Sequence, residues 1–377
     1  MTNFSINLQR IAFLMIILLS GGYLIIAGQS MLAPLAFSAL FSFLIHPICR
    51  RIERFIPYRP IAIISSMLIA LIPVFLAITF FSFQFSTVLR ELPVITENLQ
   101  QGVEQIFIGG QQFLNMEAQS LEEWLGNNLT TVLDMPLRIL GESLSSSTYL
   151  LGSIILTALF TFFLMLYRTS IKNFMLAQIQ PENRDEANFI VRQVKKLVQE
   201  YLYGMLLVIL ILGVLNSVGL WIIGIKYAAF WGSLAACLAI IPYIGTTLGG
   251  VLPFIYALAT TGTLWQPAAV VMLYSTVQTL EGNFITPKIV GNSVSINPMA
   301  AILSLFLGGM IWGIAGLILA LPAAAVLKVI FEHVTPLKPF SELLSSDLYQ
   351  KKDKFLEEYD EDKYRIGNYF KEERKGP

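Results

Sequence analysis

The chain has 377 residues, of which 55% are hydrophobic and only 13% are charged, and its 25 basic and 25 acidic side chains cancel. Globular domains are about 45–50% apolar and about 25% charged, so this composition indicates a polytopic membrane protein and excludes an ordinary soluble domain. Because the net charge is zero, the protein has no overall positive field that would attract nucleic acid. Two cysteines are too few for a disulfide framework, and two histidines are too few for a histidine-based metal centre.

Five apolar segments are long enough to cross a hydrocarbon core of about 30 Å. They are residues 11–28, 31–48, 61–83, 149–167 and 202–225. Residues 227–280 are also apolar but are interrupted by Gly and Pro, which favours broken or re-entrant helices. The last run, residues 298–331, is too long for one untilted crossing at about 1.5 Å per residue. We predict an all-α polytopic membrane protein with about eight transmembrane helices, broken or re-entrant helical hairpins and a small extracytoplasmic helical region.

Basic side chains between the second and third spans predict the orientation. This loop should be cytoplasmic, as should both termini, because it carries Arg50, Arg51, Arg54 and Arg59. The acid-rich, amphipathic residues 86–148 then lie outside as a helical cap, which we favour over a separate catalytic domain.

Four regions follow from this orientation. They are three spans in residues 1–85, the cap 86–148, a transport region 149–334 and a charged cytoplasmic tail 335–377. Within the transport region, the amphipathic helix 168–200 lies either on the inner leaflet or against another subunit. The tail is predicted to be a soluble helical or partly disordered extension.

Glu281 is the first candidate for transport chemistry. It ends an apolar run, with Gln278 one helical turn before it and Asn283 two residues after it. A charged side chain at mid-bilayer costs roughly 2.5 to 3.5 kcal/mol, so it usually has a function, such as binding a proton or a monovalent cation. The alternative is an interfacial Glu281 that contacts water or pairs with Lys288. Asn297, in the polar loop that follows, either supplies a further oxygen or satisfies a surface turn.

The second candidate is I-P-Y-I-G-T-T-L-G-G-V-L-P-F at residues 241–254, where glycines let the backbone approach a ligand. Tyr243, Thr246 and Thr247 either contact the transported species or hold helices together. No lysine follows in a phosphate-binding loop pattern, which argues against ATP hydrolysis. Asn216, a lone amide in the fifth span, is predicted to form an interhelical hydrogen bond.

Glycines and prolines of the second half are predicted hinge or re-entrant positions, and in the last run close packing or hinging is favoured over ligand contact. They are Pro242, Gly245, Gly249, Gly250, Pro253, Pro287, Gly291, Pro298, Gly308, Gly309, Gly313, Gly316 and Pro322.

Three segments together resemble the AI-2E family of membrane transporters. They are I-P-Y-I-G-T-T-L-G-G-V-L-P at 241–253, E-G-N-F-I-T-P-K-I-V-G-N-S-V-S-I-N-P at 281–298 and G-G-M-I-W-G-I-A-G-L-I-L-A-L-P-A at 308–323. The resemblance implies a multi-pass homo-oligomer of the bacterial inner membrane that exports autoinducer-2, the quorum-sensing signal, or exchanges Na⁺ or Li⁺ for protons as an antiporter. Asn297-Pro298 stands where many members have His-Pro, which argues against a proton relay at that position.

We therefore expect a secondary active transporter that works by alternating access on a small polar solute or a monovalent cation, with H⁺ or Na⁺ as coupling ion and no cofactor. The alternative is a non-transporting membrane scaffold that recruits partners through its cap and tail. An intramembrane enzyme is disfavoured, because Ser and His do not occur in triad-like company and the spans contain no Asp.

Overall fold

The computed structural model describes residues 8–114, 147–241, 244–290, 295–346 and 355–365. Regular structure in these residues is helical, apart from an isolated β-bridge between Ile296 and Ser345. Several predicted positions lie outside the described residues, namely about half of the cap (115–146), Pro242, Tyr243 and Gly291.

Thirteen α-helices are present in the described residues. The first six are α1 Leu8–Ala27, α2 Gln29–Ile52, α3 Arg59–Leu114, α4 Ser147–Leu166, α5 Arg168–Ala177 and α6 Arg184–Ile223. The others are α7 Ala228–Leu238, α8 Ile244–Thr260, α9 Trp265–Leu280, α10 Thr286–Ile289, α11 Pro298–His333, α12 Lys338–Leu344 and α13 Phe355–Glu358. Short 3₁₀ turns precede α6 and α12 and follow α13.

The membrane character predicted from composition is confirmed at a coarse level. Within the described ranges, four helical segments are long and apolar enough to cross a bilayer, and they are Gln29–Ile52, Arg59–Val88, Pro181–Ile223 and Pro298–His333. The bent pair of Leu151–Leu166 and Arg168–Ala177, which meet at 67°, adds a fifth if it forms one span. Many large apolar side chains are exposed along α1 and α3, as a lipid-facing surface requires. The total of eight spans stays a prediction.

The chain divides into two compact units. Unit 1 contains residues 1–66, 155–203 and 290–377. Its helices are joined by polar contacts to backbone and by ion pairs to Glu53, whose carboxylate oxygens contact Arg168 at 2.8 and 2.7 Å and Arg59 at 3.9 Å. Gln199 on α6 donates to the carbonyl of Phe43 on α2 at 2.8 Å. These contacts satisfy polar groups at the basic ends of helices that are otherwise apolar.

Unit 2 contains residues 67–154 and 204–289, and its core is aromatic. The ring of Phe230 packs edge-on against Phe81, and Trp231 stacks at a tilt on Tyr256 with centroids 5.2 Å apart. The turn from α6 into α7 needs left-handed backbone, which Gly224 supplies at a φ of 87°. This turn brings α7 back against α6, and α8 packs against both α7 and α9.

α11 is divided by a sharp break. Trp312 and Gly313 have non-helical backbone, and Gly313 adopts a φ of 58° that favours glycine. The backbones of Gly308 and Gly316 are in contact, although a straight helix would separate residues eight positions apart by about 12 Å. The chain therefore reverses direction at the break, and α11 is a hairpin of two packed arms.

Candidate functional site

Glu281 lies at the junction between α9 and a short π-helical turn, Glu281–Ile285. The backbone N–H of Thr286 donates to the carbonyl of Glu281, five residues earlier, which widens the helix at this point. Pro287 has no N–H to form the usual α-helical hydrogen bond to the carbonyl four residues earlier, and Gly282 allows a wider range of backbone angles. These two residues explain why the helix widens here. Such single π turns occur frequently at functional sites.

Glu281 also lines a small, partly open cavity of unit 2. The cavity has a volume of about 20 Å³, which is room for roughly one water molecule. Its walls come from α6, α7, α8 and α9, with Leu212, Asn216, Ala235, Ala239, Gly245, Tyr274, Val277, Gln278 and Glu281. Glu281 is the sole ionisable carboxylate among these lining residues, and none of them is basic. The half-buried carboxylate of Glu281 therefore borders a small cavity that no basic side chain lines.

Small residues bring the walls of this cavity together. A Cβ added at Gly245 would overlap the backbone of Leu238, and one added at Gly249 would lie 2.8 Å from the Cβ of Ala235. At Gly232 on α7, an added Cβ would overlap Ser217 on α6, the residue after Asn216. Close backbone approach in a membrane relies on small residues of this kind, which explains why this segment is rich in glycine.

Asn216 does not form the interhelical hydrogen bond that the sequence predicted. The residue is 4% exposed, and its Oδ1 has no hydrogen-bond partner in the described part of the chain. The hydroxyl of Tyr274 on α9 is likewise buried without a partner. Leaving such a group unpaired in an apolar environment costs about 1–3 kcal/mol, and both of these residues line the same cavity. Tyr274 carries no signal in the sequence that would single it out, because its spacing fits an ordinary core position.

The other predicted pathway residues are arranged differently. Gln278 lines the cavity but is largely exposed, and the exposed Asn283 donates its amide to the carbonyl of Thr279 at 2.9 Å. The side chains of Thr246 and Thr247 lie outside the described atoms, as does Tyr243. No ion pair joins Glu281 to the exposed Lys288 within the described ranges.

Asn297 belongs to unit 1, whereas Glu281 belongs to unit 2. It is 5% exposed and caps α11, because its Oδ1 accepts from the backbone N–H of Ala300 at 2.8 Å. Its amide donates to the carbonyl of Leu343 at 2.6 Å, and its backbone N–H donates to Leu344. Pro298 follows at the first helical position, where proline is favoured. These bonds connect the start of α11 to α12.

A larger, open cavity lies within unit 1. Its volume is about 320 Å³, and it is bounded by Gln193, Lys196, Leu197, Glu200, Ser295, Ala325, Lys328, Val329 and Glu332. Lys328 donates to the carbonyl of Ser295, and Lys196 lies 3.7 Å from Glu200. The amphipathic pattern of residues 168–200 indicated a polar face here. That pattern gives no information about the α11 residues on the other side of the cavity, because only folding brings them close to residues 168–200.

Comparison with known proteins places the chain among transporters. The family model described as "AI-2E family transporter" matches residues 11–335. The chain is 26% identical to "Putative transport protein YueF" of Bacillus subtilis over 323 residues, 81% of this chain and 84% of that protein. It is 37% identical to "Putative transport protein YrrI" of Bacillus subtilis over 150 residues, which is 40% of this chain and 42% of that protein. A "Putative transport protein" of Methanothermobacter thermautotrophicus is 24% identical over 285 residues, 74% of this chain and 80% of that protein.

Proposed function

The chain belongs to the AI-2E transporter family, and we propose that it is a secondary active transporter that moves a small polar solute by alternating access, coupled to H⁺ or Na⁺ through Glu281. The family match supports a transport role, and the long apolar helices support a multi-pass membrane protein. The solute that we propose is autoinducer-2 or one of similar size and polarity, and the alternative cargo is Na⁺ or Li⁺ in exchange for protons.

The observation that carries the proposal is the position of Glu281. A carboxylate at a widened helical turn, facing a confined cavity without a basic partner among the lining residues, is expensive to keep charged. Binding a proton or a cation removes this cost, so the free energy of the site depends on which ion occupies it. A coupling site requires this kind of dependence, because the bound ion then favours one conformation of the protein over the other.

The glycine-rich hairpins are the parts that we propose to move. In α11 the two arms pack through Gly308 and Gly316, with the break at Gly313 between them. We propose that these arms, together with α8 and α9, form re-entrant elements of the transport region. Broken helices of this kind commonly form the binding sites of secondary transporters.

The two cavities support different roles. The cavity in unit 1, at about 320 Å³, falls at the lower end of the range for small-molecule sites, so we propose that it receives the solute. Its lysines and glutamates suit a polar ligand that both donates and accepts hydrogen bonds. The cavity beside Glu281 holds only about one water and is too small for any organic solute.

For the setting, we propose the bacterial cytoplasmic membrane, with both termini on the cytoplasmic side and a homo-oligomeric assembly. The arginine-rich link between α2 and α3 supports this orientation, because short cytoplasmic loops are enriched in basic residues.

Flux into liposomes tests the proposal. Wild type, Glu281→Gln and the control Glu182→Gln, which changes an exposed acid before α6, are reconstituted at equal density. Dissipation of a pH gradient on addition of Na⁺, Li⁺ or K⁺ is followed beside uptake of labelled autoinducer-2. We expect ion-dependent flux in wild type and Glu182→Gln and its loss in Glu281→Gln. Equal flux in all three would overturn the role of Glu281, and no flux from correctly folded protein would favour the scaffold alternative.

A further inference from the structure

Basic side chains from three helices of unit 1 form a cluster, which we call the basic cluster. It consists of Arg50 at the end of α2, Arg168 and Lys172 on α5, and Lys195 on α6. The other three cations all repel Lys195. Glu53, the acid beside them, is already ion-paired with Arg168. In the described part of the chain, no ion pair joins Arg50, Lys172 or Lys195 to a carboxylate, so the cluster has an excess of positive charge.

Neighbouring contacts keep these like charges together. Gln199 on α6 donates to the carbonyl of Phe43 on α2 at 2.8 Å, and the hydroxyl of Tyr203 donates to the carbonyl of Leu44 at 2.7 Å. The ion pair to Glu53 holds the start of α5 beside the end of α2. Cations held near one another raise the free energy of the folded protein unless an anion lies among them. The fold therefore maintains a surface that attracts an anion.

α5 runs in a different direction from the apolar helix before it. A single residue separates the two helices, and their axes meet at 67°. α4 has 20 residues, which span about 30 Å at about 1.5 Å per residue, so it is long enough to cross the hydrocarbon core by itself. The bend then turns α5 from the direction of the crossing toward the plane of the membrane surface.

An apolar face of α5 borders the basic cluster. Ile171, Phe174 and Met175 share this face, because they are three and four residues apart, and all three are exposed. Arg168 and Lys172 are less exposed and lie one position from it in the helix. An exposed apolar face with basic side chains beside it is typical of helices that lie in the membrane interface.

An anionic lipid fits both features better than the other possible occupants do. Its phosphodiester supplies the negative charge that the cluster attracts, and its acyl chains cover the apolar face. A second copy of the chain in a two-fold contact would bring the same cations against each other. A free phosphate ion would leave Phe174, which is 67% exposed, in water.

We propose that the basic cluster and the apolar face of α5 bind one anionic phospholipid from the leaflet at this end of the protein. The phosphodiester lies among Arg50, Lys172 and Lys195, and an acyl chain packs on Phe174. The orientation proposed above makes this the cytoplasmic leaflet. The site depends neither on the transported solute nor on Glu281.

Lipid retention by the full-length protein tests the headgroup site. Protein stripped of lipid in a neutral detergent receives equal amounts of phosphatidylglycerol and phosphatidylcholine with matched acyl chains, and native mass spectrometry counts the lipids retained. We expect wild type to prefer phosphatidylglycerol by about tenfold or more, since each cation near an anionic headgroup adds to the attraction. The double variant Lys172→Gln/Lys195→Gln should lose most of this preference. Lys196→Gln/Lys338→Gln, which removes two exposed lysines outside the cluster, is the matched control and should keep it.

Thermal unfolding in the same detergent separates lipid binding from a structural role. Without lipid, Lys172→Gln/Lys195→Gln should melt no lower than wild type, because the change removes repulsion between like charges. Phosphatidylglycerol should raise the melting temperature of wild type and of the control, and should leave that of the double variant unchanged. Inorganic phosphate, which carries the charge without acyl chains, should leave all three unchanged.

Contact between α5 and acyl chains is measured with a fluorescent label. Phe174→Cys, in a chain that also carries Cys49→Ala and Cys237→Ser, is labelled with bimane and reconstituted with lipids that are brominated on their acyl chains. We expect quenching similar to that of a label at Phe75→Cys, an exposed apolar position of α3. A label at Glu182→Cys, in the exposed polar turn before α6, should be quenched little.

Four results would overturn the lipid site. They are equal retention of both lipids by wild type, a preference that Lys172→Gln/Lys195→Gln keeps, displacement of phosphatidylglycerol by inorganic phosphate, and an unquenched label at position 174 that instead cross-links to a second copy. The third would indicate a site for a soluble anion, and the fourth a contact between subunits. Coupled flux in liposomes is a separate measurement, so its presence or absence leaves these results unchanged.

Discussion

The backbones of Gly308 and Gly316 touch across the break in α11, and a Cβ at Gly316 would overlap the carbonyl of Gly308. The hairpin therefore depends on the absence of a side chain at both positions. Its tip is tied to the N-terminal helices, because the indole N–H of Trp312 donates to the carbonyl of Ile25 at 2.9 Å. These contacts hold the two arms together and fix the turn between them against α1.

Gly316→Ala should destabilise the protein by about 1–3 kcal/mol, since the added methyl forces the two arms apart. Gly21→Ala is the matched control, because it adds a methyl to an apolar helix where nothing lies within 4 Å. Thermal unfolding in detergent, followed by light scattering and fluorescence, measures both. A Gly316→Ala melting temperature equal to that of Gly21→Ala would contradict the close packing.

Gly245→Ala should lower the flux that depends on Glu281. The added Cβ would overlap the backbone of Leu238 at the wall of the small cavity, so α7 and α8 must separate or the cavity must change shape. We expect a loss of at least about tenfold, as displacement of positioning groups by about 1 Å commonly produces. The liposome assay measures this loss, and Gly152→Ala, which adds a methyl in open space, should retain flux.

The ion pair between Glu53 and Arg168 should contribute measurably to the stability of unit 1. Both carboxylate oxygens lie within 2.8 Å of the guanidinium, and the side chains are 21% and 28% exposed. Partial burial places the expected coupling free energy above that of an exposed pair, at about 1–2 kcal/mol. A double-mutant cycle of Glu53→Gln, Arg168→Gln and the double variant measures it in thermal unfolding. Additive effects of the two single changes would show that the pair has no net coupling.

Asn297→Ala should lower the free energy of unfolding by about 1–2 kcal/mol, because it removes the cap of α11 and the hydrogen bond from the side-chain amide to the carbonyl of Leu343. Asn297→Asp keeps the acceptor for the N–H of Ala300 and should cost less. Stability and flux must be measured together, since the sequence pattern predicts this residue on the transport pathway. Flux that falls in Asn297→Asp, at unchanged stability, would support that pathway role over a purely structural one.

Different parts of this protein were predictable to different degrees. Long apolar runs predict helices in a membrane, because the bilayer requires every backbone group to be paired within its own segment. The sequence also marks Glu281 as a candidate site residue, since an acid at the end of such a run is rare and costly. That Asn216 and Tyr274 line the same cavity was not predictable, because a lone amide and a lone aromatic fit ordinary helix contacts equally well.

The sequence by itself determined the membrane class and the approximate positions of the apolar helices, and it marked Glu281 as a candidate, because these follow from hydrophobicity and charge along one segment. Tertiary structure decided that Asn216 and Tyr274 share one small cavity with Glu281. It also decided that α11 folds back so that Gly308 meets Gly316. The physical reason is that packing brings together groups from distant segments. Neither an unpaired atom nor a cavity exists until the walls around it are assembled.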